Sequence, residues 1–182
     1  MNLIELILEN GGQAVVQQLA RRAGLPETQT TRILSAVLPA LGQGLKRNLS
    51  DPERAGGLLE ALSRGPYREV VERPEKLAED TAVEAGNQVL GQVFGSKEVS
   101  RQVAARVAER TGTDTGIVKQ LLPVVASLAM GALGKESEKR GLLEAVESRQ
   151  PTTLMDTFME YLDMDDDGSV VDDLFDIARK FL

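Results

Sequence analysis

Residues Leu121–Gly134 read LLPVVASLAMGALG, and their reading decides the fold. Leu, Val and Met alternate with Ala, Gly and Ser, and no charge interrupts the run. Small residues let another helix approach closely, and Met130 adapts to an irregular surface. Ala126–Gly134 is therefore expected to be a buried central helix, with a self-association face as the alternative use of the same residues. The strongly apolar stretch, Leu121 to Leu133, contains Pro123, Ser127 and Gly131. At about 13 residues it reads as too short to span a bilayer.

Helical periodicity continues on both sides of this run. Leu3, Ile4, Ile7 and Leu8 mark a short amphipathic helix stopped by Asn10-Gly11-Gly12, and a second covers about 13–23 before Gly24. Pro26 opens a longer helix with Ile33, Val37, Leu41 and Leu45 on one face. Ser50 or Asp51 caps the next, which carries Leu58, Leu59 and Leu62. After Gly65-Pro66 comes a charged stretch containing Pro74. A second series begins near Ala85, with Val89, Leu90, Val93 and Phe94 as a stripe that ends at Gly95. Ser96 caps a helix bearing Val99, Val103 and Val107, Gly112 stops it, and Asp114 starts the helix that holds the opening run. No segment alternates with period two for long enough to be a strand.

The two series look like one unit used twice. Leu38-Pro39 and Leu122-Pro123 are 84 residues apart, and so are Gly57-Leu58-Leu59-Glu60-Ala61-Leu62 and Gly141-Leu142-Leu143-Glu144-Ala145-Val146. Upstream the spacing slips from 15 residues (Gly24 to Pro39) to 11 (Gly112 to Pro123), about one helical turn. The expectation is an all-α multihelical array. It comprises a first repeat at 1–65, a connector at 66–86, a second repeat at 87–150 and an acidic helix pair at 151–182, joined in one continuous body.

Composition narrows function. The chain has 182 residues, no His and no Cys, so the commonest general base, the thiol nucleophile and the usual transition-metal ligands are missing. Neither a P-loop nor a dinucleotide fingerprint is present, and a non-catalytic protein is expected. The N-terminus does not read as a signal peptide, so the expected setting is cytoplasmic. The net charge of −7 sits entirely in residues 151–182, where nine acids face Arg179 and Lys180. Residues 1–150 balance 19 basic against 19 acidic side chains. That distribution argues against broad nucleic-acid binding and points to a cation or a basic partner at the acidic end. The partner itself, or self-association, is not named by the sequence.

The acidic end contains DMDDDGSVVDDL, Asp163–Leu174. Asp163, Asp165 and Asp167 occupy positions 1, 3 and 5 of an EF-hand-like loop, Gly168 the turn, and Ser169 the backbone-carbonyl position. Leu174 stands where the bidentate Glu belongs, so Asp172 or Asp173 would have to replace it. Calcium is the expected ion. The competing reading is a solvated turn followed by a Ser169 helix cap with Asp172 at its third position.

A helix-turn-helix pattern is the second candidate site. Val16, Ala20, Gly24 and Ile33 have its spacing, and Ala108, Gly112, Val118 and Leu121 repeat it. Thr30 departs from it where an apolar residue is expected, and Arg32 is the only cation on the supposed recognition helix. DNA binding is thus the runner-up to an interaction module.

The runs GNQVLGQVFG (86–95), SKEVSRQVA, the Thr111-Gly112 pair, LLPVVASLAMGALG and DMDDDGSVVDDLFDIARKFL together resemble a YidB-like bacterial family of helical proteins. The resemblance covers about residues 86–182 and matches the first repeat only loosely. It implies an all-helical array in a bacterial cytosol and carries over no activity, substrate or catalytic residue.

The calcium reading has a direct check. Calcium should raise the melting temperature of the protein, because a ligand bound only by the folded state stabilises it. Without the position-12 Glu the affinity should be about 10⁻⁴ to 10⁻³ M. Asp163→Ala or Asp167→Ala should abolish the shift and Asp156→Ala should preserve it. No shift at millimolar calcium would leave the helix-cap reading.

Overall fold

The computed structural model describes residues 3–64 and 66–139. Among them are seven α-helices, one 3-10 turn and no strand, which is the all-α array expected. The helices are α1 (Leu3–Ala23), α2 (Glu27–Leu49), α3 (Pro52–Arg64), α4 (Tyr67–Glu72), α5 (Asp80–Phe94), α6 (Lys97–Thr111) and α7 (Thr115–Lys139), with the 3-10 turn at Pro74–Ala78.

Local chemistry sets the boundaries. Within α1 the chain breaks at Gly12 (φ 60°, ψ −162°), where the sequence places a stop, and the Asn10 amide donates to the Leu6 carbonyl at 2.9 Å. Extended Pro26 precedes α2. Asp51 Oδ1 accepts from the Glu53 amide at 3.0 Å and caps α3. Ser96 Oγ accepts from the Val99 amide at 3.3 Å and caps α6. Asp114 Oδ1 accepts from Gly116 and Ile117 and caps α7. These are side-chain oxygens on otherwise orphaned helix donors.

Helix α7 lies at the centre and packs against each of the other six. All fourteen residues from Leu121 to Gly134 are buried, as expected of a central helix. By length and composition α7 is also apolar enough to cross a membrane. This corrects the expectation of a run too short to span: the helix is 25 residues long. Its apolar surface is covered by protein. Eight large apolar side chains of α7 are buried: Val118, Leu121, Leu122, Val124, Val125, Leu128, Met130 and Leu133. At about 1.5–3 kcal/mol each they contribute on the order of 12–24 kcal/mol as an upper estimate. Pro123 inside the helix costs about 3 kcal/mol, so burial dominates. Ser127 and Ser137 are buried as well, and each donates its hydroxyl to a carbonyl of α7 itself, Val124 at 2.9 Å and Leu133 at 2.7 Å. No polar partner from another helix is required.

Two glycines set the helix separations. A Cβ on Gly86 of α5 would fall 1.7 Å from the Pro123 carbonyl oxygen, and one on Gly131 of α7 would fall 2.2 Å from the Tyr67 carbonyl oxygen of α4. Backbone therefore touches backbone at both crossings. The charged stretch after Gly65-Pro66 forms α4, the 3-10 turn and the first turns of α5, and α5 begins at Asp80, ahead of the expected Ala85. Tyr67, Val70, Val71 and Leu77 of this stretch are core residues. Burial pushes the Tyr67 phenol above its ordinary pKa by desolvation, which keeps it neutral.

The expected stripes are buried, apart from half-covered Ile4 and Leu59 and exposed Leu8. Pro39 and Pro123 both lie inside helices. The second GLLEA-like segment, 141–146, lies outside the described residues.

Gly86→Ala should destabilise the protein by about 3 kcal/mol, because only helix displacement relieves a clash with backbone. Gly56 lies on exposed α3 with nothing near its would-be Cβ, so Gly56→Ala should stabilise by up to about 1 kcal/mol. Chemical denaturation of both variants checks the pair. Equal effects would contradict the close α5–α7 crossing.

Candidate functional site

The helix-turn-helix residues come together as the spacing requires. Gly24 and Gly112 both have φ 65°, a left-handed conformation that glycine adopts without a Cβ penalty. The amide after each reaches back to the same carbonyl position: Leu25 to Ala20 and Thr113 to Ala108, both at 3.0 Å. The next helix starts three residues after the glycine in each case, at Glu27 and at Thr115. Val16, Ala20 and Ile33 are buried in one pair, and Ala108, Val118 and Leu121 in the other. From helix start to Pro is 12 residues in α2 and 8 in α7, which locates the one-turn slip inside the second helix of the pair.

Much of the polar surface at the start of α2 is used internally. Thr30 is 1 % exposed and donates its hydroxyl to the Pro26 carbonyl at 3.1 Å, so it fills the apolar position with its polarity satisfied. The Gln29 amide donates to the Thr111 carbonyl and to Thr113 Oγ1, each at 2.6 Å. It thereby docks the first turn of α2 onto the α6–α7 turn. Glu27, Thr28, Thr31 and Arg32 stay exposed there. The start of α7 exposes Asp114, Gly116, Lys119 and Gln120.

Two grooves flank the C-terminal end of α5. The larger, about 680 Å³, lies among α2, α3, α5 and α6. Its charges are matched: Arg54 pairs with Asp51 at 3.3 Å. Its buried Asn48 is satisfied by the Gly44 carbonyl at 2.8 Å and the Val93 carbonyl at 3.3 Å.

The smaller groove, about 460 Å³, is unbalanced. Lys97 and Arg101 of α6 and Lys119 of α7 line it, together with Asn87, Ser96 and Ser100, and no acid is among its lining residues. Leu90, Leu122 and Pro123 form the apolar part. The turn at Gly95 and the Ser96 cap launch α6 so that Lys97 and Arg101, one turn apart, share a face. All three cations are exposed. Surface pairs hold cations elsewhere, as in Arg106–Glu109 and Lys76–Glu79. Among the described residues, Lys97, Arg101 and Lys119 have no such partner. The sequence motifs do not group Lys97, Arg101 and Lys119. The i, i+4 spacing of Lys97 and Arg101 was readable, but the approach of α7 was not.

No group of three or more acidic side chains that could hold a metal occurs among the described residues. The EF-hand-like residues Asp163, Asp165, Asp167, Ser169, Asp172 and Asp173 lie outside them.

The chain belongs to a family described as bacterial protein of unknown function (DUF937), and the match spans residues 5–136. It takes in both helix pairs and the cationic groove, including the N-terminal half that the sequence motifs matched only loosely. No curated protein and no solved structure matches the chain.

Proposed function

We propose that this member of the family is a non-catalytic, cytoplasmic interaction module, and that its α5–α6–α7 groove binds an acidic polypeptide segment. One observation carries the reading: Lys97, Arg101 and Lys119 converge on one groove without a carboxylate partner among the described residues. Three like charges at close quarters repel one another, and an anionic ligand relieves that repulsion. The groove is open and part apolar, which suits a chain of mixed acidic and apolar side chains better than a small anion. Absence of His and Cys from the whole sequence supports a non-catalytic role. Exposed ion pairs are worth about 1 kcal/mol or less each, so three of them with modest apolar burial imply a dissociation constant on the order of 10⁻⁴ M. A calcium ion at Asp163–Asp173 would be a separate property of the same module, supported by loop spacing alone.

Nucleic-acid binding is the second reading, favoured by the two matching glycine turns. It is opposed by the internal use of Gln29 and Thr30 and by the balanced charge of residues 1–150.

Fluorescence anisotropy at physiological salt separates the two readings. A labelled peptide of alternating Asp and Leu should bind, and Lys97→Glu, Arg101→Glu and Lys119→Glu together should weaken it at least about tenfold. Mixed duplex DNA should bind more weakly and without sequence preference. A nanomolar, sequence-selective duplex complex lost in Arg32→Ala would reverse the ranking.

A further inference from the structure

We propose that the segment bound along Lys97, Arg101 and Lys119 continues across Gly91 into the larger groove, where a tyrosine or tryptophan of the same partner chain is anchored against the open side-chain oxygen of Asn48. The inference rests on the reading of the smaller groove as an acidic-segment site. It adds a second subsite and the type of residue that fills it.

The two grooves share a wall. Gly91 of α5 lines both, with Asn87 and Leu90 on the smaller side and Val93 and Phe94 on the larger. Helix α6 is divided in the same way: Lys97, Ser100 and Arg101 line the cationic groove, and Val99 lines the other. The ridge between them is low at Gly91, which is exposed, and a Cβ placed there would meet nothing within 4 Å. Backbone alone forms the crossing point. A helix is about 10 Å across, so an extended chain passes over it in about three residues.

The chemistry of the larger groove selects the anchor. Asn48 is 4 % exposed and spends both hydrogens of its side-chain amide on the Gly44 and Val93 carbonyls. What it still offers is the acceptor Oδ1. Among the described residues, the unpaired side-chain polar atoms sealed from solvent are Arg22 Nε and Gln102 Oε1. Asn48 Oδ1 is not one of them and no described donor reaches it, so it opens on the groove that Asn48 lines. Leu58, Val93, Phe94 and Val99 supply the apolar lining, and the charged lining balances, with Arg47 and Arg54 against Asp51 and Glu53. No net charge therefore draws a charged side chain. One open acceptor beside an apolar wall favours an uncharged donor on a large apolar body, which is what Tyr and Trp combine. The volume of about 680 Å³ leaves room for such a ring and its neighbours.

The described body of a second copy has no such side chain to insert. Trp is absent from the sequence, Tyr67 is a buried core residue at 4 % exposure, and Tyr161 lies outside the described residues. A separate protein is the occupant that fits, with an acidic run and an aromatic donor about three residues beyond its end.

The test uses the full chain throughout. Labelled peptides are titrated by fluorescence anisotropy: the alternating Asp/Leu peptide, and the same peptide with Gly-Gly-Gly-Tyr after it or Tyr-Gly-Gly-Gly before it. One of the two extended peptides should bind about tenfold tighter than the parent, the effect of one well-buried aromatic side chain. Replacing its Tyr by Phe should take back about fivefold of that gain. Gly91→Gln places a side chain on the ridge and should make parent and extended peptides bind alike. Its melting temperature should be no lower, because the substitution adds a helix-favouring residue where the Cβ has open space. Equal binding of parent and extended peptides to the unaltered protein would overturn the second subsite and leave the acidic-segment reading intact. Binding of none of them would overturn both. A gain that survives Gly91→Gln would overturn the crossing. Nitrogen-15 NMR is the second measurement: the extended peptide should move the Asn48 side-chain amide signals and the parent should not, and identical shifts from both would overturn Asn48 as the anchor's partner. N-acetyltyrosinamide binding as tightly as the extended peptide would assign the groove to a small molecule. A protein dimer dissociated by the extended peptide would identify a second copy. Either result would overturn a separate polypeptide partner.

Discussion

The constraint behind this structure is the contact of two backbones at Gly86 and Pro123. A helix as apolar as α7 must be covered on nearly every side, and α5 achieves that on one side only because Gly86 has no side chain. The Gly131–Tyr67 crossing does the same for α4. With these two helices close, the gap around α7 is narrow enough for α1, α2, α3 and α6 to complete the cover. The buried hydroxyls of Ser127 and Ser137 turn back to carbonyls of the same helix. Among the described residues, the buried part of α7 is thus held by shape and desolvation, and its polar ties to other helices, Arg68–Glu138 and Lys139–Asn10, lie at its exposed C-terminal end.

The same arrangement generates the candidate site. Helix α6 is launched by the Gly95 turn and the Ser96 cap, and α7 by the Gly112 turn and the Asp114 cap. Those two starts lie beside the C-terminal half of α5, and their exposed sides carry Lys97, Arg101 and Lys119. Gln29 braces the α6–α7 turn from the opposite pair. A surface that reads as a DNA-recognition helix by spacing is therefore partly a structural joint, and the free charge has moved to its neighbour.

Much of this was legible from residues. Caps at Asp51, Ser96 and Asp114, stops at Gly12, Gly24, Gly95 and Gly112, and the Gly/Ala-rich central helix follow from local rules that depend on few neighbours. Three features were not legible. Tyr67, Val70, Val71 and Leu77 are scattered among charges, so their burial is visible only once α7 supplies a surface for them. Helix α7 continues through Glu136 and Ser137 to Lys139, because helix-compatible residues carry it beyond the apolar run that marked it. The cationic groove depends on Lys119 lining the same groove as Lys97 and Arg101 from a different helix, a placement no linear spacing encodes. The second GLLEA segment lies outside the described residues, so the repeat rests on its sequence spacing and on the matching glycine turns.

If α7 organises the fold, it cannot open without the rest. Native-state hydrogen exchange measures this directly. The amides of Val124–Gly134 should be the slowest in the protein and should exchange only through global unfolding, with an opening free energy equal to that from denaturant titration. Amides of peripheral α3 should exchange earlier, through local opening. Exchange of the α7 amides through a partial opening well below the global value, with α5 or α2 still protected, would contradict the central position assigned to this helix.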